Sequence, residues 1–159
     1  MKVNIGKYPS TKSKKPRKVE IKIDDWDTWN ADHTLALIAA PLLTQLKESK
    51  KGSPFVEDSD VPEELRSSNS ELNPDDHLDS NFHKRWDWVL DEMIYAMSEV
   101  ANQFPGEDKF YDHSEFNEED SIEKQIKAIK VDREGLEQYN ERVKNGCRLF
   151  GVYFMGLWS

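Results

Sequence analysis

Apolar residues recur at two different periods along the chain. Near the start, Val3 and Ile5 and then Val19, Ile21 and Ile23 alternate with Lys2, Asn4, Glu20 and Lys22, the period of half-buried strands. Between the runs lies a polar, proline-punctuated stretch from Gly6 through Tyr8, Pro9 and Pro16 to Lys18. The pattern predicts a β-hairpin over residues 1–24 with a long loop. From Asn30 onward the period becomes helical. Leu35, Ile38, Leu42 and Leu46 make one stripe of a helix predicted over 31–50, while Leu37, Ala40 and Thr44 fall on another side. Thr28 or Asn30 is its expected cap, with Asp32 favourable at the positive end of the helix dipole. Because it is apolar almost all round, this helix is expected to be the central one. Pro41 inside it removes a backbone donor and implies a kink or an opened turn.

A second helix is predicted over 82–102, with Trp86, Leu90, Met93, Ile94, Met97 and Val100 on its core face. Lys84, Trp88 and Tyr95 recur on the opposite side, so two large rings and a cation need a second partner. A short helix follows Asp120 or Ser121, with Ile122, Ile126 and Ile129 on one side. The last helix starts at Asp132 and carries the stripe Leu136, Tyr139, Val143, Cys147, Phe150, Phe154 and Leu157. Beyond Gly146 its other faces turn apolar too, through Leu149, Val152, Tyr153, Met155 and Trp158. Such a terminus is expected either to enter the core or to form an oligomer interface. Two acidic loops, at about 52–81 and 104–120, complete the chain. The first is expected to wrap the body through Phe55, Val56, Val61, Leu65 and Leu72, with one turn at Pro62-Glu63-Glu64-Leu65. The fold class is therefore α+β, mainly α. A bundle of three to four helices (25–159) and an N-terminal β-hairpin (1–24) form a single domain over 1–159.

Composition narrows the classes. A chain of 159 residues is long enough for a real core, and 11% aromatic residues with five Trp exclude a wholly disordered one. The most apolar run, from Leu149 to Trp158, is half the roughly 20 residues that a membrane span needs. One cysteine, Cys147, excludes an intrachain disulfide framework, makes a reducing compartment the default, and on the core stripe is expected to be a small buried hydrophobe rather than a nucleophile. The net charge of −9 is uneven. Residues 1–22 carry Lys2, Lys7, Lys12, Lys14, Lys15, Arg17, Lys18 and Lys22 against Glu20 alone, so +7 sits on the hairpin and −16 on the rest. No apolar core follows this basic segment, as it would in a secretory signal. The contrast argues against extended nucleic-acid binding. It leaves the cationic loop for a local phosphate or acidic partner, or as a solvated guard on an edge strand.

Motif chemistry does not name a reaction. The chain has no phosphate loop, dinucleotide glycine fingerprint, paired CxxC or nucleophile elbow. Lys84, Trp88 and Tyr95, with Arg85 nearby and Arg148 on the last helix, could stack a base and neutralise phosphate. The plainer alternative is that the rings pack within the chain. His33, His83 and Asp87 could converge on a divalent metal if their helices pack, with Asp91 and Glu92 adding carboxylates. All-α nucleotide pyrophosphohydrolases, however, place two carboxylate pairs on facing helices, and only one acidic helix is evident here. The alternative is that both histidines are hydrogen-bonded helix-boundary residues. Asp25-Trp26-Asp27 matches a DxD motif only as a string, and is better explained as a turn in which Trp26 and Trp29 cover the helix start. His113-Ser114 lacks the second His-x-Thr/Ser pair of a two-histidine phosphoesterase.

Four stretches carry a resemblance. They are Asp25-Trp26-Asp27-Thr28-Trp29-Asn30-Ala31-Asp32-His33-Thr34-Leu35-Ala36-Leu37-Ile38, then Val61-Pro62-Glu63-Glu64-Leu65-Arg66-Ser67, then Arg85-Trp86-Asp87-Trp88-Val89-Leu90-Asp91-Glu92-Met93-Ile94, and the tail from Asn145-Gly146-Cys147-Arg148 to Gly156-Leu157-Trp158. In these the chain resembles a family of uncharacterised tailed-bacteriophage proteins. The resemblance implies an origin and not an activity. It points to the host bacterial cytoplasm, with the virion as the other setting. The expectation is a non-enzymatic accessory protein that counters host defence, by sequestering a nucleotide-type signal or by blocking a host protein. Two other classes stand beside it: a metal-dependent nucleotide hydrolase of all-α type, and a virion structural or assembly protein. No cofactor is expected, a divalent metal being required only by the hydrolase. The expected partners are a small nucleotide or a host protein, and a second copy bound through the C-terminal apolar helix. No membrane partner is expected.

Overall fold

The alternating runs pair. β1 (Lys2–Ile5) and β2 (Val19–Lys22) form an antiparallel ribbon in which Val3 lies opposite Ile21 and Ile5 opposite Val19. Every strand residue is exposed, so the helical body covers neither face of the ribbon. Its root is held electrostatically: the Met1 amino group pairs with Asp27 at 2.9 Å and lies 3.6 Å from Asp24. The computed structural model describes residues 1–9, 15–72, 74, 78–118 and 121–158. Residues 10–14 of the cationic loop and the alternative cap Asp120 therefore lie outside the described residues.

A 3-10 turn at Asp25–Thr28 leads into α1 (Ala31–Ser49), which has Asn30 at its N-cap and runs unbroken through Pro41. α2 (Phe82–Ala101), α3 (Ile122–Ala128) and α4 (Arg133–Val152) follow. Asp132 caps α4, its carboxylate accepting the Gly135 N–H at 3.0 Å. Short 3-10 turns at Asp58–Asp60, Glu63–Leu65 and Ser67–Asn69 give the first acidic loop its shape. A second ribbon, β3 (Tyr111–Asp112) with β4 (Lys130–Val131), closes the segment that holds α3. Two-residue strands carry no readable period, which is why the pattern did not predict them.

The central helix is α2, and both α1 and α4 pack on it. Trp86, Val89, Leu90 and Met93 are completely buried and meet Leu43 of α1, Val56 and Val61 of the loop, and Leu149 and Tyr153. A smaller cluster joins Ala96, Tyr139 and Val143 to Phe104, Phe110 and Leu136. The prediction that α1 is central is thus corrected. Its buried residues are Ala36, Ala40 and Leu43, whereas Leu35, Leu37, Ile38 and Leu42 face outward. The α4 stripe is corrected as well. Tyr139, Val143, Gly146, Leu149 and Tyr153 turn inward, while Cys147 and Phe154 are exposed.

Small residues decide both corrections. At Gly146 the backbone of α4 comes so close to α2 that a Cβ would overlap the Glu92 carbonyl oxygen and lie 2.5 Å from Ala96 Cβ. The alanines of α1 likewise let its backbone come close, so larger side chains are left at the margins. Other expected anchors also face solvent: Phe55 and Leu72 in the loop, Ile122 and Ile126 on α3, and Trp26 and Trp29, which lean on each other instead of covering the helix start. After α2 the chain turns through Gln103 and Phe104, both at φ 60°, a region costly for side-chain-bearing residues. The Phe104 N–H bond to the Glu99 carbonyl at 2.7 Å and the packing of its ring hold that turn.

Gly146→Ala is expected to destabilise the protein by about 3 kcal/mol, since nothing near the new methyl can yield without moving backbone. Gly151, on the same helix, has no neighbour within 4 Å of a Cβ. Gly151→Ala should be neutral or stabilise by up to about 1 kcal/mol. Urea unfolding of the two variants side by side measures the difference.

Candidate functional site

α1 and α4 both pack on α2, and an open groove of about 570 Å³ remains between them. Leu35, Ile38 and Leu42 line its α1 wall at the i, i+3, i+7 spacing of one helix face. Cys147, Phe150 and Phe154 line the other wall at the same spacing, and Met97 and Val100 form the floor. Phe150 and Phe154 stack edge to face at 5.8 Å. Asp32 is the one charged residue among those that line the groove. Leu42 is 63% exposed and Phe154 58%, so large apolar side chains stand in solvent along both walls. Cys147 is not the buried residue expected. It sits on the groove wall, where desolvation pushes its thiol pKa up, away from an activated nucleophile.

The residues proposed for base stacking and phosphate contact are engaged inside the chain. Lys84 donates to the Asn81 side-chain oxygen at 3.1 Å. Trp88 packs on the main core cluster, and Tyr95 on the smaller one, its ring covered by the Arg142 guanidinium at 3.8 Å. Arg148 pairs with Asp60 at 2.8 Å, and the same carboxylate accepts the Tyr153 hydroxyl at 2.8 Å. Burial and that bond push the Tyr153 pKa up to about 12. Lys84, Trp88 and Tyr95 share one side of α2 as expected, but Arg85 turns inward and is 2% exposed.

The proposed metal set does not converge. His33 Nε2 lies 3.1 Å from the Ala101 carbonyl at the end of α2, and His83 Nδ1 lies 3.0 Å from Ser53 Oγ at its start. The two histidines thus stand at opposite ends of α2, roughly 27 Å apart at 1.5 Å per residue. Asp87 pairs with Lys50 at 2.9 Å, and Asp91 with Lys47. The helices do pack, but their antiparallel sense separates the ligands. Among the described residues no group of three or more His, Cys, Asp or Glu side chains could hold a metal ion.

Sequence reasoning missed the strongest polar feature. Arg85 forms a two-pronged pair with Asp79, at 2.8 Å from Nη1 and 2.6 Å from Nη2, and Nη1 also donates to the Leu65 carbonyl at 3.1 Å. Asp79 further accepts from the Ser70 hydroxyl and the Asn81 N–H. The pair fastens the middle and the C-terminal end of the acidic loop to α2 and underlies a shallow pocket that Phe55, Ser67 and Phe82 help to line. No periodic signal links Asp79 to Arg85, so only the fold shows the partnership. No helix among the described residues is long and apolar enough to cross a membrane. Fold and site together define a mainly α domain with an uncovered apolar groove. No family model, curated protein or solved structure matches the chain.

Arg85 holds the Asp79 carboxyl well below its usual range, down to about 2. Its folded pKa lies below the unfolded value near 3.9. The pair therefore stabilises the fold above about pH 4, and that contribution is lost as pH falls toward 2. Asp79→Asn is expected to cost about 3–5 kcal/mol by leaving Arg85 buried without its counter-charge. It should also flatten the decline in stability between about pH 4 and pH 2, which urea melts across that range measure.

Proposed function

We propose that the chain is an accessory binding protein that acts in a phage-infected bacterial cell by seating an amphipathic helix of a host protein in the groove between α1 and α4. The observation that carries this reading is the groove itself. Its walls present two apolar rows at i, i+3, i+7 spacing over the Met97 and Val100 floor, the pattern into which an amphipathic helix docks. A face this apolar is costly to leave in water and is the usual mark of a protein-binding surface. The phage setting comes from the resemblance carried by the Trp-rich stretches.

Blocking a protein suits this surface better than sequestering a nucleotide. A nucleotide would need cations free to meet its phosphates, yet Arg85 and Arg148 are already paired with Asp79 and Asp60. The rings of Trp88 and Tyr95 are packed against the two core clusters. The acidic body adds steering toward a partner whose docking helix carries basic flanks.

Ile38→Glu and Phe154→Glu, each placing a charge on one wall, should weaken partner binding at least about tenfold while leaving the melting temperature within a few degrees, because both side chains are exposed. Affinity purification from infected cells with cross-linking should map the bound host protein to α1 and α4 in the wild type and lose it in both variants. Titration with cyclic and linear nucleotides should leave the Trp fluorescence unchanged. A saturable response there, with host proteins bound equally by both variants, would replace this reading with nucleotide sequestration.

A further inference from the structure

The N-terminal ribbon has an apolar face that leaves Val3, Ile5, Val19, Ile21 and Ile23 exposed among the described residues. Cross-strand pairing puts Val3 beside Ile21 and Ile5 beside Val19 on one face, and Ile23 extends that face by one period-two step. The opposite face carries Lys2, Asn4, Glu20 and Lys22. All five aliphatic side chains are exposed. A two-stranded ribbon with a bare aliphatic face is at best marginally stable alone in water, so its occupant is the question.

The charges at its two ends answer it. Followed at period two, the apolar face of one strand reads Arg17, Val19, Ile21, Ile23 and that of the other Val3, Ile5, Lys7, and past Ile23 the chain enters the 3-10 turn whose Asp25 lines a hollow together with Ile23. One end of the face is cationic and the other anionic, with only aliphatic residues between. At the cationic end the Arg17 guanidinium stacks on Tyr8 at 4.1 Å. At the anionic end Trp26 and Trp29 meet edge to face at 4.6 Å and 73°, and are 69% and 73% exposed. With Ile23, Asp24 and Asp25 they line a hollow of about 480 Å³. Asp24 is paired with Lys22 and the Met1 amino group, whereas the Asp25 carboxylate has no partner among the described residues. Two exposed indoles beside an unpaired carboxylate form a receptor for an ammonium or guanidinium group. The chain's own Lys7 and Arg17 stand at the far end of the ribbon, beyond strands that span roughly 13 Å at 3.3 Å per residue.

We propose that a second copy of this chain covers the face, the two ribbons packing aliphatic face to aliphatic face with their strands running in opposite directions. A two-fold axis across the strands then sets Lys7 of each copy over the Asp25, Trp26 and Trp29 hollow of the other, while Arg17 is held by the Tyr8 ring and the Gly6 carbonyl of its own chain. The pattern is self-complementary, as an isologous interface requires. It buries ten aliphatic side chains and makes two cation-to-indole contacts, and it leaves the groove between α1 and α4 free. The interface is thus separate from the surface assigned to a host partner, and from the C-terminal helix first expected to join copies.

Sedimentation equilibrium of the full chain and charge-swapped variants tests this. The wild type should sediment at twice the chain mass. Val19→Asp with Ile21→Asp should give a monomer whose circular dichroism and melting of the helical body are unchanged, since both side chains are exposed in the single chain. Lys7→Asp and Asp25→Lys should each weaken self-association about tenfold, and an equimolar mixture of the two should recover it, because each then supplies what the other lacks. A monomeric wild type would overturn the proposal. So would a dimer that survives Val19→Asp with Ile21→Asp, or single charge reversals whose mixture recovers nothing. The groove variants Ile38→Glu and Phe154→Glu should leave the wild-type mass unchanged. If they dissociate the dimer, the contact lies between α1 and α4 and this interface is refuted.

Discussion

The approach of α4 to α2 at Gly146 is the constraint on which the remaining architecture rests. With no side chain at that position, the helix settles against the Glu92 carbonyl and Ala96, and its rotation about its own axis is decided there. That rotation carries Tyr139, Val143, Leu149 and Tyr153 into the two core clusters. It also carries Cys147, Phe150 and Phe154 to the side, where they become a wall. Ala36 and Ala40 do the same for α1 and leave Leu35, Ile38 and Leu42 as the facing wall. The groove follows from close packing: small residues occupy the contacts with α2, and the large apolar ones stand beyond them.

Polar bonds then complete what packing leaves undone. Among the described residues of the acidic loop, Val56 and Val61 are the only buried apolar side chains, too few to order it alone. Arg85 and Asp79 supply the missing hold. They are joined by the Asp60 carboxylate, which ties the loop to Arg148 and Tyr153 near the end of α4. Glu92, buried beside the Gly146 crossing, is balanced by Arg142, and the same guanidinium covers Tyr95. The cations that might have met a phosphate are thus used to keep an acidic chain folded, because a carboxylate taken out of water needs a partner.

The groove and the ribbon both present apolar residues that the described part of the chain leaves exposed, and the two surfaces differ in kind. The groove is concave, helical in spacing and nearly uncharged. The ribbon is flat, two residues in period, and charged with opposite sign at its ends. A surface of the first kind suits a helix from another protein, and one of the second kind suits its own copy. Their separation means that self-association and partner binding can proceed together, so each ribbon-linked pair would present two grooves.

Much of this was legible in the residues alone. Alternation at Val19, Ile21 and Ile23 determined the ribbon, and the helical period with Asn30 and Asp132 as caps located α1 and α2 to within a residue and the start of α4, whose stripe was read on to Leu157 past the helix end at Val152. The split between a +7 hairpin and a −16 body was likewise a property of the chain. The choice of faces was not. Reading apolar size as burial put Leu35, Leu42, Cys147 and Phe154 in the core, and a glycine or an alanine could not announce itself as the contact. The site that places His33 and His83 at opposite ends of α2 depended on the sense of helix packing, and the Arg85–Asp79 pair on a loop returning to its own helix. Local chemistry decides which elements form, because periodicity and capping act within a few residues. Which face each element buries is decided by how closely two backbones can approach, a quantity that exists only once the helices meet.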